Sequence, residues 1–196
     1  MAITIEQTKE LRDKTGISIM QCKKALEDAG GDMEKAIILL RKKGADMVSK
    51  KAGRELRSGR VISYIHGTGL MGALVELSCE TDFVAKNEEF VKLAYDIAMQ
   101  IVATKPDFIK REDISKEEME KAREVFLTEV KGKPEEIKEK ILAGKLDSYF
   151  KDKVLLEQDF IKDPELTINL LIQNAVQKFG EKIEVARFQR YSVTEK

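Results

Sequence analysis

At 196 residues, with 42% hydrophobic, 6% aromatic and 36% charged residues, the chain can bury one good core and a small satellite unit. No apolar run reaches the roughly 18 residues of a membrane span, and the N-terminus, MAITIEQTKELR, is not a signal peptide, so a cytoplasmic location is expected. The net charge is zero, and two cysteines with one histidine argue against a disulfide framework, a His-based zinc cluster and most His-dependent triads.

Residues 1–44 read as three short helices. Thr4 can cap the first, whose apolar side carries Ile5, Thr8, Leu11 and the stem of Arg12, and Gly16 breaks it. Ser18 with Gln21 has the spacing of a capping box for the second, which the Gly30–Gly31 pair ends. Asp32 caps the third, and Gly44 is expected to close it. A three-helix module of about 45 residues is marginal alone and commonly exists to bind something. Residues 45–60 then read as a linker, with at most a helical turn over 47–52. Over 41–60, eight basic residues face Asp46 and Glu55, a local charge of +6 against −6 for the rest. Such a stretch is either a solvated linker or a contact to nucleic acid or an acidic protein face.

The core is expected over 61–196. VISYIH and MGALVELS alternate around GTGL, the pattern of a β-hairpin. CETDFVAKN follows, and Asn87 is placed to cap a long helix carrying Phe90, Ala94, Ile97, Ala98 and Ile101 at helical spacing. Pro106 ends it, and FIKR is a candidate short edge strand. Residues 113–151 read as two charged helices. Met119, Ala122, Phe126 and Val130 form one narrow stripe, GKP at 132–134 turns the chain, and Ile137, Ile141 and Leu142 line the return, so the pair is a projecting hairpin. A last helix over 164–180, capped near Thr167 and stopped by Gly180, precedes a third strand, IEVARFQRYSV. Strands and helices mix without βαβ regularity, so the class is α+β.

One enzymatic motif is present. Gly67, Gly69 and Gly72 spell G-x-G-x-x-G, but the dinucleotide fingerprint needs a helix after the glycines, and here a strand follows. The glycines are better explained as turn residues with positive φ. No P-loop and no activated nucleophile are present, so neither an enzyme nor a cofactor nor a metal site is expected. An RNA-binding module is the other class to weigh, but 41–60 lacks the interleaved aromatics of single-strand binders. In CETDFVAKN, Phe83 is by pattern either a core residue at the strand–helix junction or an exposed contact.

LRDKTGISIMQCKKALEDAGGDMEKAIILLRKKG and ETDFVAKN resemble the translation elongation factor Ts family. The likeness continues through SYIHGTGLMGALVEL, KPDFIKREDIS and KIEVARFQRYSV, and covers essentially the whole chain. It implies a ubiquitin-associated-like module at 1–44, a dimerisation-type α+β core and a helical coiled-coil protrusion at 113–151. It implies guanine nucleotide exchange on elongation factor Tu, in its GDP-bound and nucleotide-free states. The segment expected to enter that partner and disturb its magnesium site is Thr81, Asp82, Phe83 and Val84. Arg12, Met20 and Lys23 match the LR…MQCKK motif as secondary contacts, and His66 lies in the matching SYIH segment. The longest members carry two copies of the hairpin-plus-helix unit, whereas this sequence has one. A homodimer is therefore expected to supply the second, and no membrane or direct nucleic-acid partner is expected.

Overall fold

The structure, a computed structural model, describes residues 3–130 and 135–194; the expected turn at 132–134 lies outside them. The chain is α+β, and most of its buried apolar residues among those described fall in two clusters. The first holds Leu11, Ile17, Cys22, Leu26, Ala36 and Leu40 between α1 (Ile5–Thr15), α2 (Ile19–Asp28) and α3 (Met33–Lys51). Thr4 caps α1 in a full capping box with Gln7, and Asp32 caps α3. Thr8 and Leu11 are buried as expected, but Ile5, at the open first turn, is exposed.

Two local expectations yield to tertiary contacts. Ser18 precedes α2 without a side-chain cap bond, and the Gln21 side chain, the other half of the expected box, is engaged with Gln177 on another helix. Gly44 does not close α3, which runs on to Lys51, so only residues 52–57 remain as irregular connection. Gly44 is instead where α3 meets α8 (Ile168–Phe179). A Cβ there would lie 3.3 Å from Gln177 Oε1 and 3.8 Å from Gln173 Cβ, so the absent side chain sets the approach of the two helices.

The second cluster is built on a three-stranded antiparallel sheet of order β1-β2-β5, formed by β1 (Ser58–His66), β2 (Met71–Cys79) and β5 (Ile183–Ser192). Gly67 and Gly69 adopt φ of 52° and 84°, and the Gly69 N–H donates to the His66 carbonyl at 3.0 Å, closing the hairpin turn. A strand follows these glycines, so they build a turn. Alternation along the strands turns Ala73, Val75, Leu77, Cys79, Ile183 and Val185 inward, where α5 (Glu88–Thr104) and α8 bury them. The opposite face carries Val61, Ile65, Leu74 and Tyr191, all exposed.

The projecting pair is α6 (Lys116–Glu129) and α7 (Glu135–Lys153). Phe126 meets Tyr149 edge-on at 5.5 Å while Glu129 pairs with Lys145, so the two helices run in opposite directions. FIKR forms no strand; it contributes one parallel bridge, Phe108 to Val154, and Arg111 pins the base of the pair to Asp147 and Glu157. The last helix starts later than expected. Residues Asp163–Thr167 form β4, paired with β3 (Asp159–Phe160), before Thr167 caps α8.

Candidate functional site

CETDFVAKN leaves the sheet where the β2–β5 ladder ends, at the pair Cys79–Ile183. Past that pair the backbone groups need other partners. Glu181 supplies them: its carboxylate accepts the Glu80 N–H at 3.1 Å, the Thr81 N–H at 3.0 Å and the Thr81 hydroxyl at 2.6 Å. In return the Glu80 carboxylate accepts the Lys182 N–H at 2.6 Å and the Arg54 guanidinium at 3.0 Å. Burial opposes the Glu80 charge, but the Lys182 N–H and Arg54 prevail and hold its carboxyl below the ordinary range. The same burial, helped by the Glu181 charge, pushes the Cys79 thiol up.

Thr81 then caps α4, a single turn over Asp82–Ala85, by accepting the Val84 N–H. One side of this turn is anchored: Val84 and Ala85 are buried in the main cluster, and Arg60 donates to the Ala85 carbonyl at 2.9 Å. The other side faces out. Phe83 is 80% exposed. Beside it Asp82 pairs with Lys86 at 2.6 Å, which holds the Asp82 carboxyl below its usual range. Asn87 ends the turn and caps α5 by accepting the Glu89 N–H. The four expected contact residues therefore divide. Thr81, Asp82 and Phe83 are exposed, whereas Val84 is an anchor, because the inward side of a turn lying on the sheet must bury an apolar group.

Of the secondary candidates, Met20 is 83% exposed on α2, and Lys23 is exposed and lies 3.8 Å from Glu27 one turn on. Arg12 is exposed; its charge, after burial, helps depress Lys178, which pairs with Glu89 at the start of α5. The C-terminal end of α8 thus meets both elements: Gln177 bonds Gln21 of the helical module, and Glu181, just past Gly180, holds the loop. His66 is placed elsewhere. It sits at the opposite end of β1 from Ser58, the partner of Cys79, about 27 Å along the strand, with its Nδ1 2.9 Å from the Tyr64 hydroxyl.

Sequence reasoning missed Glu181, Glu80 and Arg54. Glu181 and Thr81 are 100 residues apart, and nothing local marks a glutamate after a helix-closing glycine as the partner of a distant threonine. Among the described residues, no group of three or more His, Cys, Asp or Glu stands close enough to hold a metal ion, and no helix is long and apolar enough to cross a membrane.

The chain is thus α+β, with an outward aromatic on a turn braced from below and an outward methionine on the helical module. The model of one family, elongation factor Ts, matches residues 23–195. The chain is 54% identical over 194 residues to an elongation factor Ts of Thermodesulfovibrio yellowstonii, covering 98% of this chain and 97% of that one. It is 51% identical over 195 residues to that of Desulforamulus reducens, covering 98% and 90% of the two chains. It is 48% identical over 195 residues to that of Thermotoga petrophila, covering 100% and 98%. The chain belongs to the elongation factor Ts family.

Proposed function

We propose that this chain is the guanine nucleotide exchange factor of elongation factor Tu in translation elongation, acting in the cytoplasm without covalent chemistry. The observation that carries the reading is the outward Phe83 on an anchored turn. An exchange factor binds the nucleotide-free partner more tightly than the GDP-bound one, and linkage makes the effect reciprocal: what the factor takes from GDP affinity, GDP takes from the factor's. Driving a population from 1:99 to 99:1 requires about 5.5 kcal/mol of differential binding. Magnesium neutralises phosphate charge and demands strict octahedral geometry, so a wedge that shifts its surroundings weakens the nucleotide. Phe83 is that wedge, Asp82 and Thr81 are its polar flank, and Arg12, Met20 and Lys23 make the second contact through the helical module. The magnesium belongs to the partner.

Release of labelled GDP from elongation factor Tu, measured with and without this chain, tests the reading. Acceleration is expected, and an unchanged rate would sink it.

The second partner in this reading is another copy of the same chain. The open sheet face supports it: Val61, Ile65, Leu74 and Tyr191 form one exposed apolar surface on three strands. Such faces are usually covered, and two copies related by a twofold axis cover each other. Leu74→Asp puts a charge at the centre of that face. It is expected to halve the mass measured by light scattering while leaving the far-ultraviolet circular dichroism unchanged. A mass equal to that of the unaltered chain would exclude this face as the dimer contact.

A further inference from the structure

We infer that Glu181 is the positioning residue of the Phe83 turn: it fixes the N-cap of α4 and thereby the direction in which Phe83 points. This deepens the exchange-factor reading and rests on it. Cys79–Ile183 is the last ladder pair of β2 and β5, so the next N–H groups, those of Glu80 and Thr81, have no strand to pair with. Both donate to one oxygen of Glu181, at 3.1 and 3.0 Å, while the Thr81 hydroxyl donates to the other at 2.6 Å. Bonds to an ionised carboxylate are shorter and about twice as strong as neutral ones. The Thr81 hydroxyl is thereby turned so that its lone pair accepts the Val84 N–H, which starts the turn.

Glu181 is itself held. Gly180, just before it, accepts Lys51 Nζ through its carbonyl at 2.6 Å, and the Lys182 N–H, just after it, binds Glu80. The far side of the turn is fixed independently by buried Val84 and Ala85. With both ends fixed, the only large apolar group of the turn left outside is Phe83. Without Glu181, the entry to the turn has two unpartnered N–H groups and an unconstrained threonine, and residues 80–83 can leave the capped conformation for a solvated one.

Glu181→Ala is expected to lower GDP release stimulated from elongation factor Tu at least tenfold and to abolish amide hydrogen-exchange protection over 80–84 alone. Glu181→Gln is expected to recover most of both, because its amide oxygen still accepts the two N–H groups and its NH₂ donates to the threonine oxygen. In a Phe83→Ala background, Glu181→Ala is expected to add no further loss, since its effect passes through that ring. Full activity in Glu181→Ala, or a loss that persists undiminished in the double variant, would overturn the inference. A Glu181→Ala chain that does not fold transfers the decision to Thr81→Val, which removes only the hydroxyl and must lower release in the same direction. Should the unaltered chain leave GDP release unchanged, the functional reading fails on its own. Hydrogen exchange over 80–84 then decides, with equal protection in Glu181→Ala and the unaltered chain counting against the brace.

Discussion

Phe83→Ala is expected to cut stimulated GDP release by about 30-fold or more, the effect of an aromatic hot spot worth at least about 2 kcal/mol. It is expected to move the melting temperature by less than about 2 °C, because an exposed side chain that is itself neither a cap nor an ion-pair partner contributes within about 0.5 kcal/mol to stability. The ring is 80% exposed and the turn beneath it is fixed by Val84, Ala85 and Glu181, none of which the substitution touches. Rates of labelled GDP release at saturating factor, read beside thermal melting, separate the two quantities. A collapse in melting temperature with release per folded molecule intact would mean that the ring is structural.

Phe90→Ala is expected to do the reverse. Phe90 is fully buried, in the first turns of α5, and meets Phe179 edge-on at 6.3 Å. Truncating a buried Phe removes its transfer free energy and leaves a cavity, together about 3–5 kcal/mol. For a chain of this size that lowers the melting temperature by roughly 10 °C. GDP release per folded molecule, measured well below the transition, is expected to stay within about threefold of the unaltered chain, since the surface presented to a partner is unchanged. A variant that melts normally but no longer stimulates release would exchange the roles of the two aromatics.

These two residues show where sequence stops deciding. Positions 83 and 90 are seven apart, so in one continuous helix they would share a face and a fate. Asn87, with φ of −67° and ψ of 132°, interrupts the helix and re-aims everything before it. The cap was legible, but its consequence for the direction of a side chain four residues earlier was not. Pattern alone therefore left Phe83 open, and the likeness to a known family is what favoured the outward reading.

The same division runs through the fold. Features that rest on short-range physics were readable: the caps at Thr4, Asp32, Asn87 and Thr167, and the hairpin turn with Gly67 and Gly69 as its positive-φ residues. Features set by distant neighbours were not. Gly44 has the composition of a helix stop, yet it is a helix contact, because α8 lies against it. Gln21 has the spacing of a capping partner and is drawn away by Gln177. The brace on Thr81 joins segments 100 residues apart, and no periodicity encodes that.

The continuity of α3 carries a consequence for recognition. The helix runs 19 residues, a rod of roughly 28 Å, from the turn after α2 to Lys51, whose ammonium is bonded to the carbonyl before Glu181. A helix in place of a flexible linker narrows the range of separations between the helical module and the loop. For a partner that engages both, the second contact forms within the complex, at an effective concentration set by a stiff spacer instead of a tether whose span varies with the square root of its length. A partner whose two patches are spaced differently gains no avidity at all. In the proposed reading the rod would serve as a gauge, favouring a partner whose two patches match its span.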